Sequence, residues 1–447
     1  MSKLDDHPTV QRFREAANAG VAVAGPEPLD AGWLRQVCLE AGADDVGIVA
    51  IDRPELDDQR AEILAAFPRT KTLIAFVCRI NRDPIRSPAR SVANLEFHGT
   101  LDHTTEVARR LVTTLERRGI RAMNPASGFP MELQRPSGRP WVVAHKPVAV
   151  AAGLGRMGIH RNIIHPRFGN FILLGTILVD AEVSAQDRPI DYNPCLECKL
   201  CVAACPVGAI APDGNFNFSA CYTHNYREFM GGFSDWVETI VESRDAADYR
   251  SKVSPPETSS MWQSLSFGPN YKAAYCMAVC PAGEDVIGPF LQDRKGFLDE
   301  VVRPLQDKEE TLYVIPKSDA EEYATRRFPR KTLKRVRSGL RSANIRGFLQ
   351  GLPLLFQREQ VKDLDATYHF TFTGRDPGLA TIRIRDKTLQ ISHEHVGEPD
   401  LRVIADSDAW LGFIGRERSL VWSLIRRKIR LKGSPRLLAA FGRCFPS

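Results

Sequence analysis

Seven of the ten cysteines lie between residues 195 and 280, and four of them form the run CLECKLCVAACP at 195–206. The spacing C-x2-C-x2-C-x3-C followed by proline is typical of thiolates that bind iron–sulfur clusters, and the fourth cysteine of such a run usually serves a second cluster. Zinc also binds thiolates, but this spacing and the Cys-Pro endings favour iron–sulfur ligation. The sequence therefore predicts two clusters.

The remaining thiolates come from Cys221 and from the segment CMAVCP at 276–281. A two-cluster ferredoxin arrangement divides the seven cysteines into a group of four (Cys195, Cys198, Cys201 and Cys280) and a group of three (Cys205, Cys221 and Cys276). The eighth ligand is expected three residues before Cys276, and that position holds Ala273. We therefore expect one 4Fe-4S cluster and a second site that is one thiolate short.

Three explanations of the gap at Ala273 remain open. The second site holds a 3Fe-4S cluster, or water or a side chain completes a 4Fe-4S cluster, or a thiol from elsewhere in the chain folds back. The candidate side chains nearest in sequence are Asp213, His224 and Tyr271. The candidate thiols are Cys38, Cys78 and Cys444, of which the first two fall on predicted core faces.

Composition limits the class of protein. A chain of 447 residues that is 43% hydrophobic predicts about two to four domains with ordinary cores. Ten cysteines are too few for a disulfide scaffold of this length, which indicates metal binding in a reducing compartment. Because the N-terminus has no apolar signal region and no apolar stretch could cross a bilayer, we expect a cytoplasmic protein without a transmembrane segment.

The pattern of elements predicts an α/β domain, a ferredoxin-like iron–sulfur domain and a small α+β domain. Hydrophobic periodicity predicts helices in 30–42, 55–67 and 102–119 and strands in 45–51, 72–80, 141–150 and 170–180. Period-two alternation predicts strands in 366–376, 381–392 and 400–408. The expected boundaries are 25–185 for the first domain, 186–300 for the second with an insertion at 230–270, 301–365 for a linker, and 366–447 for the third.

The linker contains a basic run. Residues 326–346 hold nine Lys or Arg and no acid. Such a run is typical of a solvated helix between domains, and the alternative is contact with phosphates or an anionic membrane surface. Gly153, Gly155 and Gly158 match G-x-G-x-x-G, but the segment after them, HRNIIHPRFGN, is a poor helix, so we reject a dinucleotide fold.

The segment HKPVAVAAGLGRMGIHRNIIHPRFGNFILLGTILVD (145–180), running into the first cysteines, resembles the core of epoxyqueuosine reductases and reductive dehalogenases. Those enzymes follow an AGLG-x-x-G motif with a Pro-x-Phe-Gly segment and a double-cluster domain. The resemblance implies an oxidoreductase with a cobalamin between the α/β domain and the clusters, and a low-potential donor such as ferredoxin or flavodoxin. It marks as cofactor-binding positions Gly153, Gly155, Gly158, Pro166, Phe168 and Gly169.

One departure from the resemblance concerns the substrate. Epoxyqueuosine reductases carry an acidic residue in an Asp-[Ser/Thr]-Ala-Pro segment, whereas this chain has Ala144-His145-Lys146-Pro147. Dehalogenases use a basic residue and a tyrosine near the cobalt, and the resemblance assigns the first role to His145 or Lys146 and the second to Tyr222. The alternatives are a structural histidine and a solvent-facing lysine.

Residues 366–447 resemble the sterol-carrier-protein-2 family in their alternating strands, in GEPDLRVIADSDAWLGFI and in IRLKGSPRLLAAF. That resemblance implies a tunnel for lipids or acyl groups, and plain core packing is the alternative for each lining residue. The residues that would line it are Trp410, Leu411, Phe413, Ile414, Val421, Trp422 and Leu424.

Three hypotheses about function follow. The first is a corrinoid-dependent iron–sulfur reductase that acts on a hydrophobic, lipid-like small molecule in the cytoplasm. The second is an electron-transfer protein that holds no corrinoid and serves a partner enzyme. The third is a tRNA-modifying reductase of the epoxyqueuosine type, which depends on the basic run alone, so nucleic acid is not the expected partner.

Overall fold

The computed structural model describes residues 4–18, 28–133 and 139–446; residues 25 and 447, two of the expected domain limits, lie outside these ranges. The first part of the chain contains six helices and six strands within the described residues. The helices are α1 (Pro8–Asn18), α2 (Ala31–Ala41), α3 (Asp57–Ala66), α4 (Arg82–Arg86), α5 (Arg90–Glu116) and α6 (His145–Ala151). The strands are β1 (Asp45–Ala50), β2 (Thr72–Arg79), β3 (Ala122–Met123), β4 (Arg156–Met157), β5 (Ile163–Ile164) and β6 (Ile172–Val179).

Four of these strands form one antiparallel sheet in the order β1-β2-β6-β3. Strand β2 is buried on both faces, which explains its continuous apolar sequence. Its residues alternate between two cores: Ile74 and Phe76 pack with α2 and α5, whereas Leu73 and Val77 pack with α6. The predicted strands at 45–51 and 72–80 are therefore confirmed, and the unit has three layers.

The predicted strand at 141–150 is wrong, because most of this run forms helix α6. Ala144 caps it in an extended conformation, and the buried Val148 and Ala149 face the sheet. Short apolar runs cannot be assigned to strand or helix by periodicity alone. The helix approaches β1 very closely: a β-carbon on Gly47 would overlap the carbonyl oxygen of Ala152.

The cysteine-bearing part is built from short helices. They are α7 (Leu200–Ala204), α8 (Phe218–Asn225), α9 (Gly231–Glu242), α10 (Ala246–Lys252), α11 (Pro255–Phe267), α12 (Tyr275–Ala278), α13 (Gly288–Gln292), α14 (Arg294–Phe297) and α15 (Arg303–Asp307). The expected insertion at 230–270 corresponds to α9, α10 and α11. It is tied to its surroundings by the buried ion pair between Arg227 and Asp235, 2.6 Å long.

The segment 301–365 is folded and does not form the expected basic helix. It contains β7 (Thr311–Val314), α16 (Asp319–Arg327), β8 (Thr332–Arg335) and α17 (Ile345–Leu355), and β7 pairs with β8 in parallel. Its basic side chains are paired with acids from other elements: Lys334 with Glu257 at 2.7 Å, and Arg337 with Asp235 at 2.8 Å. The pairing neutralises much of the charge that the sequence concentrates here.

The last part of the chain is a mixed five-stranded sheet with helices. Its strands are β9 (Ala366–Thr373), β10 (Gly378–Arg385), β11 (Thr388–Ser392), β12 (Leu401–Asp406) and β13 (Ile429–Gly433), in the order β11-β10-β9-β12-β13. Its further helices are α18 (Ser407–Ile414), α19 (Leu420–Ile425) and α20 (Pro435–Cys444). The run 381–392 is a hairpin, since Asp386 and Lys387 adopt positive φ values between β10 and β11. The core also includes Ile345 and Phe348 of α17, so this unit begins before residue 366.

Among the helices of the described ranges, none is both long enough and apolar enough to cross a bilayer.

Candidate metal centre

The first group of cysteines lies together near the protein surface. Cys201 in α7 is buried, and that burial raises the pKa of its thiol. The thiols of Cys276, Cys280, Cys198 and Cys195 raise it further. Cys198 is exposed, and Cys195 is half-buried. The structure therefore brings together the four cysteines that the spacing assigned to one cluster.

The second group lies deeper between α8 and α12. Burial raises the pKa of the Cys221 thiol, and the neighbouring thiols of Cys276 and Cys205 raise it further. Burial and Cys205 likewise raise the pKa of Cys276, to about 11. The three cysteines left over by the spacing are thus neighbours in space, and Cys276 also interacts with Cys201 of the first group.

The chemistry of these thiols fits iron–sulfur clusters. An iron–sulfur cluster binds one thiolate at each of several irons, so its ligands lie further apart than the ligands of a single metal ion. Backbone N–H groups face the sulfurs: Ala209 N lies 3.2 Å from Cys205 Sγ. Burial raises the pKa values of Cys276 and Cys280, and backbone N–H groups at Met277 and Ala282 offset part of that rise. Such donors stabilise cluster-bound thiolates.

Two buried arginines stand beside the thiols. Arg86 interacts electrostatically with Cys280 and Arg90 with Cys276. Arg86 Nη2 and Arg90 Nε are buried without a hydrogen-bond partner among the described residues. Buried cationic donors without partners are costly, and an anionic cluster next to them would compensate that cost. Neither arginine was singled out by the sequence, because no spacing rule links α4 and α5 to the cysteines.

Ala273 is buried, and its N–H donates to Asn225 Oδ1 at 2.9 Å. The three side chains considered as substitutes for the missing thiolate make other contacts. Asp213 is paired with Arg358 and His224 lies with Glu310 and several lysines, while Tyr271 packs on Tyr226. The remote thiols are buried in other cores, Cys38 and Cys78 beneath the first sheet and Cys444 beneath the last.

Lys146 faces the second group of thiols. Its Nζ donates to the carbonyl oxygen of Arg161 at 2.6 Å and to Asn162 Oδ1 at 3.1 Å. Solvent reaches the side chain, yet desolvation by surrounding protein lowers its pKa, while the Cys276 and Cys221 thiols raise it. Lys146 is thus exposed to solvent on one side and enclosed by protein on the other. We call the space between Lys146 and these two thiols the Lys146 recess.

His145 does not face this recess with a free nitrogen. Its Nδ1 lies 2.8 Å from Thr176 Oγ1 and its Nε2 lies 3.0 Å from the carbonyl oxygen of Ala126. Burial lowers the pKa of its imidazole. Both nitrogens are therefore used within the protein, as expected of a structural histidine, and the catalytic assignment of His145 is not supported by this geometry.

The predicted tyrosine is better matched by a neighbour. The Tyr222 hydroxyl accepts a hydrogen bond from Gly231 N at 2.8 Å and the side chain is buried, so its contacts are structural. Burial raises the pKa of Tyr226 well above its ordinary value, and the nearby Cys221, Tyr271 and Cys276 side chains raise it further. Tyr226 is thus the tyrosine beside the second group. It lies four residues from Tyr222, one turn along the chain, and helical spacing could have indicated it.

The glycines predicted to bind a cofactor pack closely against other segments of the same chain. A β-carbon would overlap the carbonyl oxygen of Ile164 at Gly155 and that of Ala282 at Gly169, and it would stand 2.6 Å from Arg188 O at Gly153. At Gly158 a β-carbon would approach Ile164 Cδ1 to 2.7 Å. Phe168 is buried against the His165 ring, and Pro166 accepts a hydrogen bond from Glu284 N. Each of these positions is thus filled by protein atoms, and Ile164 and Ala282, on which two of the glycines pack, lie beside Cys280.

The proposed tunnel residues of the last domain divide into two sets. Trp410 is fully buried among Phe348, Phe370 and Phe372, and its indole nitrogen has no partner among the described residues. Leu411, Phe413, Ile414 and Leu424 are partly buried against the same core. Val421 and Trp422 are 63% and 62% exposed. Their assignment to an internal lining is therefore wrong, since their side chains face solvent.

Comparison with known proteins agrees with this reading of the cysteines. A family model described as the 4Fe-4S binding domain matches residues 188–211. The epoxyqueuosine reductase of Escherichia coli (strain K12) is 30% identical over 110 residues, which cover 24% of this chain and 28% of that enzyme. The epoxyqueuosine reductase of Vibrio cholerae is 33% identical over 97 residues, 21% of this chain and 26% of the relative. Part of this chain is similar to epoxyqueuosine reductases.

The chain spans about a quarter of the length of these curated relatives. Among solved structures, the epoxyqueuosine reductase from Streptococcus thermophilus matches 61% of this chain and 74% of its own at 16% identity, with a TM-score of 0.35. A reductive dehalogenase described in terms of B12-dependent dehalogenation matches 62% of this chain and 38% of its own at 16% identity, with a TM-score of 0.37.

Proposed function

We propose that this protein is an iron–sulfur oxidoreductase that uses a corrinoid in the Lys146 recess to reduce a small molecule. The observation that carries the proposal is the position of Lys146, a solvent-accessible lysine that interacts electrostatically with the Cys276 and Cys221 thiols. Similarity of part of the chain to epoxyqueuosine reductases supports the reaction class. When bound, the corrinoid would supply the reducing metal centre.

The exposure of the cysteines supports a direction for electron flow. Cys198 is exposed, so a donor such as ferredoxin or flavodoxin could approach the first cluster. Cys276 interacts with Cys201 of that cluster and with Lys146. Electrons would therefore pass from the surface cluster to the cluster at Cys205, Cys221 and Cys276, and from there into the recess.

Two side chains are proposed to act on the reacting atoms. Lys146, held by Arg161 and Asn162, would stabilise negative charge that develops on the substrate during reduction. Tyr226 would hold a proton at its hydroxyl, because burial and the nearby thiols keep that group protonated. His145 would fix the start of α6 and thereby the orientation of Lys146.

Aromatic rings next to the recess support a hydrophobic substrate. Tyr226 packs against Phe229 at 5.0 Å and against Tyr271 at 5.6 Å, and Tyr271 packs against Phe97 at 4.9 Å. Rings in this arrangement favour an apolar or aromatic molecule. A sterol-carrier-like role for residues 366–447 in holding a lipid-like substrate is part of the same proposal.

The test is anaerobic purification from cells supplied with cobalamin, followed by cobalt and iron analysis and a visible spectrum. We expect cobalt together with iron, and a reduced rate of dehalogenation of a halogenated phenol in Lys146→Met. Lys199→Met, a change of a lysine beside the first cluster that the proposal gives no part in the reaction, is the control. Iron without cobalt would overturn the enzyme proposal and leave an electron-transfer protein that serves a partner enzyme.

A second candidate is reduction of epoxyqueuosine in tRNA, favoured by the similarity of part of the chain to epoxyqueuosine reductases. The absence of a carboxylate from Ala144-His145-Lys146-Pro147 speaks against it. Incubation of the reduced protein with tRNA that carries epoxyqueuosine, followed by nucleoside mass spectrometry, decides between them. Conversion of the nucleoside with no turnover of small halogenated substrates would favour this second function.

A further inference from the structure

Helix α19 carries three large apolar side chains on its solvent side. Val421 is 63% exposed, Trp422 is 62% exposed and Ile425 is 63% exposed. The opposite side of the same helix is anchored, since Leu420 and Leu424 pack against the core of the last domain. We call the three exposed residues the α19 patch.

The α19 patch is held in place by the backbone that follows it. Arg426 N donates to the carbonyl oxygen of Trp422 at 2.9 Å, and Lys428 N donates to that of Ser423 at 2.9 Å. The chain then continues directly into strand β13, which pairs with β12. The exposed side chains therefore project from a folded element.

The segment that carries the patch is rich in basic residues, of which Lys428 is paired with Asp406 at 3.4 Å. Residues 416–432 contain seven basic side chains and one acid, Glu417, which is paired with Arg341 at 3.5 Å. The guanidinium of Arg426 lies 5.8 Å from the centre of the Trp422 ring. The basic residues are Arg416, Arg418, Arg426, Arg427, Lys428, Arg430 and Lys432.

We propose that the α19 patch docks the protein on an anionic lipid bilayer. Tryptophan is favoured at the membrane interface, aliphatic side chains insert below it, and nearby Lys and Arg are attracted by anionic headgroups. A surface for single-stranded nucleic acid combines positive charge with several aromatic rings on which bases stack, whereas this patch has one ring and two aliphatic side chains. The proposal goes beyond the proposed reductase function and does not depend on it.

Another exposed helix of the same chain provides a comparison. On α11, Trp262 is 59% exposed and Phe267 is 74% exposed, but residues 255–268 contain no basic residue. Apolar exposure without positive charge gives an anionic surface no electrostatic attraction. Trp262 is therefore a matched control for Trp422.

The test is sedimentation of the full chain with vesicles of phosphatidylcholine alone and of phosphatidylcholine with phosphatidylglycerol. We expect binding to the anionic vesicles that weakens as salt is raised. Trp422→Ser and Ile425→Ser should each lower the affinity by roughly tenfold, since each removes one buried apolar anchor. Trp262→Ser should leave the affinity unchanged, and Arg426→Glu with Arg427→Glu should lower it.

Fluorescence gives a readout that does not depend on destabilising variants. Lipids with brominated acyl chains should quench tryptophan emission of the unmodified protein, and most of that quenching should be lost in Trp422→Phe. Equal sedimentation with both kinds of vesicle, unchanged affinity in Trp422→Ser, or binding of single-stranded RNA with none to vesicles would each overturn the proposal.

Discussion

The guanidinium of Arg90 lies 5.3 Å from the centre of the Tyr275 ring, and Tyr275 immediately precedes Cys276. The Tyr275 hydroxyl donates to Glu310 Oε2 at 2.7 Å, which fixes the ring. Helix α5 thereby places the partly buried Arg90 next to Cys276, a proposed ligand of the second cluster. The oxidised and reduced states of that cluster should differ in how strongly they interact with the charge of Arg90.

Replacing Arg90 with Gln should lower the reduction potential of the second cluster, because the reduced and more negative state loses a nearby cation. The shift should be on the order of tens of millivolts, since a tenfold change in a one-electron equilibrium is about 59 mV. The measurement is a redox titration followed by EPR on protein with full iron content. Arg110→Gln, on the exposed face of the same helix, is the control. An unchanged potential in Arg90→Gln would show that its charge is screened from the cluster.

Replacing Ala273 with Cys should complete the second site. We expect about seven irons in the unaltered protein with the EPR signal of an oxidised three-iron centre, and about eight without that signal in Ala273→Cys. Ala43→Cys, a buried alanine in the distant first core, should leave the iron content unchanged. Eight irons and no such signal in the unaltered protein would point to a ligand other than cysteine.

Gly169 should tolerate no side chain, because its φ is +64° and a β-carbon would overlap the carbonyl oxygen of Ala282, two residues after Cys280. Gly169→Ala should lower the free energy of unfolding by at least 1–3 kcal/mol, a rough range for strain and overpacking, and should lower iron content as well. Gly99→Ala lies within α5 with open space around it and should raise stability by about 0.5–1 kcal/mol. Thermal unfolding and iron analysis of both variants make the comparison.

Glu310 forms a buried ion pair with Lys331, with Oε1 to Nζ at 2.6 Å. Burial would raise the pKa of Glu310, but the hydrogen bond and charge of Lys331 outweigh it and lower the pKa. The carboxylate therefore stabilises the fold fully above the pKa of a glutamate in the unfolded chain, about 4.3, and this contribution is lost as pH falls through the lower folded value.

Glu310→Gln should accordingly lower the free energy of unfolding by roughly 3–5 kcal/mol at neutral pH, since Lys331 is left buried without its partner. The difference from the unaltered protein should shrink as pH falls below about 4. Denaturant unfolding at several pH values measures both effects. Glu359→Gln, from an exposed pair with Lys387, should change stability by less than about 1 kcal/mol. A constant difference across pH would contradict the role of the Glu310 charge.

The sequence predicted those features that follow from local spacing. The strands β1, β2 and β6 depend on residues near one another in the chain, and the run of four cysteines at 195–206 is likewise a local pattern. Contacts between distant segments could not be read in this way. Arg86 and Arg90 interact with Cys280 and Cys276, which lie nearly two hundred residues later in the chain. The hydrogen bonds of the two His145 ring nitrogens depend on Thr176 and Ala126.

The packing of α17 against the last domain could not be predicted from local composition for the same reason. Helix α17 lies in a segment whose charge suggested a linker, but Ile345, Phe348, Leu349 and Leu352 are buried in the core of the last sheet. Charge composition indicated solvent exposure, whereas the apolar face of the helix decided its packing. The structure therefore revises the expected start of this unit from residue 366 to about residue 344, the N-cap of α17.

A fragment of residues 344–446 should fold alone, and one of residues 366–446 should be much less stable. Removal of α17 uncovers the aromatic rings of Phe370, Phe372 and Trp410, on which Phe348 packs. Each of the four lost apolar side chains contributes about 1.5–3 kcal/mol when buried, which is comparable in sum to the whole stability of a small domain. Urea unfolding followed by tryptophan fluorescence compares the fragments. Within the longer fragment, Phe348→Ala should lower stability by about 3–5 kcal/mol, and Leu354→Ala, at a half-exposed position of α17, should have little effect. Equal midpoints for the two fragments would mean that α17 only covers a core that is already stable without it.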